Sequence, residues 1–148
     1  MGRDRSAKRT RKRNEGTREV RKSVSIRGLI NFSFKDLDQS QPKDDCQTVG
    51  LWHEKGLLRK LFVRIAELSK VSKAEAIQQQ QIKIYGDFPP NNKTDFEVPR
   101  HVDPNVEWGV IENIGGKPRV AGYMVENTFY VVFLDGEHKF WKSEKRNT

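Results

Sequence analysis

Three side chains near the end of the chain have the chemistry to work on a phosphate ester: Arg119, Tyr123 and His138. A guanidinium pairs with two phosphate oxygens at once, so Arg119 is the candidate clamp. Imidazole changes charge near neutral pH, which makes His138 the candidate acid and base. A phenol beside an arginine can hydrogen-bond a phosphate or, with a lowered pKa, exchange a proton. Arg119 and Tyr123 share parity, which on a strand puts them on one face. Lys139 and Lys142 add positive charge, Phe140 and Trp141 offer stacking faces for an unpaired base, and Arg100 in "PRHVDPN" is a further phosphate contact. Each also has a structural explanation. Arg119 could be a cross-strand partner of Glu107 or Glu126, and Tyr123 a core residue with a solvated hydroxyl. His138 could be a solvated residue after a turn, and Trp141 a cap on the core edge.

The elements that must position these groups form a β-meander. Val106, Trp108, Val110 and Ile114 alternate with Glu107, Gly109 and Glu112 as in a half-buried strand. "NIGGKP" supplies a Gly-Gly turn, where positive φ costs little. Arg119–Glu126 runs back, Glu126-Asn127 makes a tight turn, and Thr128–Leu134 returns. "TFYVVFL" is apolar on both faces, which suits a central strand covered on both sides. "DGE" turns again before His138–Trp141.

Upstream, "SVSIRGLINFSFKDLD" predicts a strand centred on Ile30, Phe32 and Phe34. Leu51, Leu57, Leu58, Leu61, Phe62, Ile65 and Leu68 predict one helix with a single apolar stripe, ending near Lys70. "SKAE" (Ser72–Glu75) has the form of a capping box that opens a second helix. "IKIYG" (Ile82–Gly86) is a short strand candidate or the exit of that second helix. Residues 87–105 form a long proline-bearing loop, a length that often marks function. The fold class that follows is α+β: two helices packed on a three- to four-stranded antiparallel sheet.

Charge divides the chain differently. The formal net charge is +8, and residues 1–22 hold ten Lys/Arg against three acids, so seven of those charges lie in this arm. With almost no apolar residues it cannot offset its chain entropy by burial, and it reads as a disordered basic arm ahead of a single domain at 23–148. Arg9, Arg11, Lys12 and Arg13 would draw polyanions such as RNA by releasing counterions. A solubilising tail is the plain alternative. No apolar stretch approaches the ~20 residues of a membrane span and the N-terminus has no apolar secretion segment, so a cytoplasmic protein without a membrane partner is expected. Cys46 stands alone among acids, His53-Glu54 lacks the second histidine of a zinc helix, and no P-loop, nucleophile elbow or dinucleotide fingerprint is present. Neither metal nor cofactor is expected.

"VEWGVI" with Trp108, "GKPRV" (Gly116–Val120) and "FYVVFLDGEHKFW" (Phe129–Trp141), after an opening "FSFKDLD" (Phe32–Asp38), resemble the RelE/HigB superfamily of small bacterial toxins. The order of elements is similar over residues 28–142, and the residues themselves over 106–142. The sequence departs at His138-Lys139, where many members have His-Arg, and in the 87–105 insertion and the basic arm. The resemblance implies a metal-free endoribonuclease that cleaves messenger RNA on the ribosome, with Arg119, Tyr123 and His138 as catalytic set and an antitoxin protein as partner. Two other readings stay open: a non-catalytic RNA- or protein-binding module of the same fold, and a ParE-like gyrase inhibitor. Oligomeric state is left undetermined.

Overall fold

The computed structural model describes residues 26–143. The arm residues Arg9, Arg11, Lys12 and Arg13 lie outside the described residues. The elements run β1 (Asn31–Ser33), α1 (Val49–Glu54), α2 (Leu57–Leu68), α3 (Lys73–Gln78), β2 (Ile82–Gly86), a 3-10 turn at Asn91–Lys93, β3 (Glu107–Ile111), β4 (Arg119–Val125) and β5 (Thr128–Asp135). The class is α+β as expected, with five strands rather than three or four, in the order β1-β5-β4-β3-β2. The sheet is mixed: β2 to β5 pair antiparallel, whereas β1 lies parallel to β5, Phe32 opposite Phe129.

The predicted single helix is two. Gly56 adopts φ 71° between α1 and α2, a left-handed conformation that glycine takes without steric cost and that ends the first helix. The Thr48 side chain caps α1 by accepting from the Leu51 amide at 3.0 Å, and Ser72 caps α3 by accepting from the Glu75 amide at 3.2 Å. On α2, Leu57, Leu61 and Leu68 are buried against the sheet, with Leu58 and Ile65 packed beside them. Phe62, assigned to that stripe by spacing, is 75 % exposed. At 100° per residue it falls roughly 120° from the centre of the three buried leucines.

Both faces of the sheet are covered. The helices lie on Val120, Met124, Phe129, Val131 and Leu134. The opposite face carries Trp108, Val110, Ala121, Tyr123, Val132 and Phe133, and is covered by Phe96 and Val102 of the long loop and Phe140 of the tail. Strand parity alone would not put Val132 and Phe133 on one side. A register shift does so, because Ala121 pairs with Phe133 and Gly122 with Val131, leaving Val132 as the extra residue of a bulge. The 87–105 loop is thus a second layer of core, pinned by Gln41, whose side chain accepts from the Glu97 amide at 2.6 Å and donates to its carbonyl at 3.0 Å.

The close approach of β4 to β5 needs glycine at 122: a β-carbon there would overlap the Tyr130 carbonyl oxygen. Gly122→Ala is expected to cost at least the ~1–3 kcal/mol of an overpacked core, because backbone rather than a mobile side chain blocks it. Urea denaturation should show the lowered midpoint.

Candidate functional site

The three catalytic candidates do not meet in one open hollow. Arg119 and Tyr123 share a face of β4, as expected, but four residues along a strand separates their Cα atoms by roughly 13 Å. Tyr123 is 7 % exposed, its ring stacked on Tyr130 at 4.7 Å and edge-on to Trp108. Its hydroxyl donates to Asp36 in a very short hydrogen bond. Burial, then this bond to a carboxylate, drives the phenol's pKa well above its ordinary value. A proton held that firmly is not available for exchange at neutral pH. Tyr123 is a core residue with a committed hydroxyl, not the solvated one of the plain alternative.

Asp36 is the hub at this end. Burial alone would raise its pKa, yet the bonds from Tyr123 and Lys35 outweigh burial and hold the carboxyl below its ordinary value. His101 approaches the Asp36 backbone oxygen through Nε2 at 2.9 Å, fastening the long loop to the segment after β1. Arg100 is exposed beside it, where its side chain lines a 590 Å³ surface hollow with Asp38 and Glu97.

At the other end, Arg119 and His138 do share a partner. Asp135, opposite Arg119 in the sheet, is 1 % exposed and accepts the amides of Lys139 at 2.8 Å and Phe140 at 2.9 Å. Burial raises its pKa against the pull of those amides and of the nearby His138 and Arg119. This carboxylate folds the tail back. Residues 138–141 therefore form no strand, His138 takes φ 57°, Phe140 is buried, and Trp141 stacks on Tyr85 at 4.3 Å. Arg119 turns its guanidinium inward, donating from Nη1 to the carbonyls of Gly116, Lys117 and Pro118, with Nε 4.0 Å from Glu112 rather than from Glu107 or Glu126.

Of the two lysines expected to meet RNA here, Lys142 is matched by an acid, as are the neighbouring Lys117 and Lys83. Lys142 pairs with Asp95, Lys117 with Glu137 and Lys83 with Glu112. Lys139 lines a hollow with Asp44, Asp45, Asp95 and Glu97. A phosphate would meet carboxylates at this end as often as cations.

A different surface has the composition of a nucleic-acid interface. Helix α2 presents Arg59, Phe62 and Val63 to solvent, with Lys60 alongside. Among the described residues, Arg59 and Lys60 have no carboxylate partner. They sit in the first turn of α2, which has no acidic residue, and cations there oppose the helix dipole. Lys60 and Arg64 are four apart, a like-charge pair that weakens a helix. The sequence signal was present in "RKLFVR", an aromatic residue among three cations. Helical spacing concealed it, because Phe62 completes an apolar series.

No protein-family model matches the chain, and no curated protein or solved structure matches it significantly. No helix among the described residues is long and apolar enough to cross a membrane.

Two outcomes test the role of the Tyr123–Asp36 bond. Tyr123→Phe should destabilise the protein by about 1–3 kcal/mol, since it leaves a buried carboxylate short of a donor. Asp36, with its folded pKa below the unfolded one, adds stability that is present above the unfolded pKa and lost as pH falls through the folded value. Asp36→Asn should therefore flatten the loss of melting temperature as pH falls from about 5 towards about 2.

Proposed function

We propose that this chain is a non-catalytic RNA-binding module whose body contacts single-stranded RNA through α2. The observation that carries this reading is Phe62, three-quarters exposed with the unpaired cation Arg59 one turn before it on the same side of the helix. An exposed aromatic ring stacks on any base, and adjacent cations hold the phosphates on either side. Residues 26–143 hold equal numbers of Lys/Arg and Asp/Glu, so their positive surface comes from segregation rather than excess. The basic arm adds long-range attraction to the same class of partner.

Phe62→Ala should leave stability almost unchanged and lower affinity for a single-stranded oligoribonucleotide by the worth of one stack, about 1–3 kcal/mol. Arg59→Ala should reduce the slope of log affinity against log salt by about 0.7. Fluorescence anisotropy on the full chain reads both. Unchanged affinity in both variants would remove the proposal.

A RelE-like ribonuclease is the second reading, favoured by the common neighbourhood of Arg119 and His138 at Asp135. In that case expression arrests growth, a cognate antitoxin relieves it, and His138→Ala or Arg119→Ala abolishes it in a protein that still melts cooperatively. Toxicity untouched by either change would discard this reading.

A further inference from the structure

We infer that the cavity between α2 and the turn joining β3 to β4 is a phosphomonoester site. The cavity has a volume of about 280 Å³, and its lining includes Arg59, Lys60, Arg64, Glu67, Asn113 and Gly115. Arg64 builds it. Its Nε and Nη2 donate to the Asn113 carbonyl at 3.2 and 2.8 Å, tying helix to turn, while Nη1 holds the Glu67 carboxylate at 2.9 Å. That pair is internally neutral and leaves the charges of Arg59 and Lys60 uncompensated. A phosphomonoester carries close to two negative charges at pH 7, which matches them; a diester carries one.

The turn supplies the second half of the site. Asn113, Gly115 and Gly116 have φ of 64°, 84° and 90°. Among the described residues the amides of Gly115 and Gly116 are committed to no protein acceptor and both glycines are exposed, so the amides are open to a ligand; Gly115 lines the cavity and Gly116 follows it in the turn. Consecutive amides in such turns form anion-binding concavities. Lys60 lies across the same turn: its Nζ is 3.1 Å and its Cδ 3.0 Å from where a β-carbon of residue 115 would stand. Any side chain at 115 would push the ammonium away from the glycine amides. The unfavourable placement of Arg59 and Lys60 at the start of α2 is relieved by a bound dianion. Local rules broken together at one cavity are the mark of a functional site.

With the RNA-binding reading above, on which this step rests, the ligand is the terminal phosphate of a strand that continues past Arg59 to the side of α2 that carries Phe62. The test uses the full chain and one single-stranded oligoribonucleotide with a 5′-phosphate, a 3′-phosphate or hydroxyls at both ends. One phosphate-ended form should bind about tenfold more tightly than the hydroxyl-ended form, the worth of charged hydrogen bonds. Lys60→Gln should erase that preference, and Phe62→Ala should weaken all three alike. Inorganic phosphate should shift the amide resonances of Gly115 and Gly116 in the native chain and not in Lys60→Gln. Equal affinity for the three ends, with Phe62 still required, overturns the terminal-phosphate site and leaves RNA binding standing. Shifts with inorganic phosphate but no RNA binding support the anion site and overturn the strand as its source. Absence of those shifts overturns the site altogether.

Discussion

A β5 strand apolar on both sides imposes the main constraint on this molecule. Phe129, Val131 and Leu134 require cover on one face and Tyr130, Val132 and Phe133 on the other. Full burial of such side chains is worth about 1.5–3 kcal/mol each, so neither face can be left to water. Helices meet the first demand. The second is met by irregular chain, the 87–105 loop and the tail, and irregular chain must be tied down by side chains. Asp135, Gln41, Thr94 and His101 make those ties, through the tail amides, the Glu97 backbone, the Phe96 amide and the Asp36 backbone oxygen respectively.

That solution decides what the meander can offer. A sheet covered twice has no open floor, and the polar groups buried in it serve cohesion. The Tyr123 phenol satisfies Asp36 and the Arg119 guanidinium satisfies the carbonyls of its own turn. Two of the three catalytic candidates, Tyr123 and Arg119, are thus held by their neighbours. On the outside of the helical layer α2 has cations and an aromatic ring that packing does not use.

Much of the architecture was legible because the relevant signals are local. The meander, its Gly-Gly and Glu126-Asn127 turns, the Ser72 cap and the double-sided β5 all follow from periodicity and turn chemistry. What escaped depends on distant partners. The parallel pairing of β1 with β5 has no signature in either three-residue stretch. The bulge at Val132 is invisible in a run of apolar residues. The tail resembled a strand by composition, but a single buried carboxylate at Asp135 diverts it. Phe62 was misplaced for a milder reason: three- and four-residue spacings admit residues far from the stripe's centre, and only the angular phase separates them. Gly56 broke the helix where a continuous apolar pattern ran through it.

The sheet order leaves β2 at one border, with a row of backbone groups turned outward. That border is only five residues long, it shifts register between Ile84 and Gly86, and Lys83 projects from its middle. A second chain trying to zip onto it would lose step where the register shifts. A rim so short and irregular gives a foreign strand little to pair with.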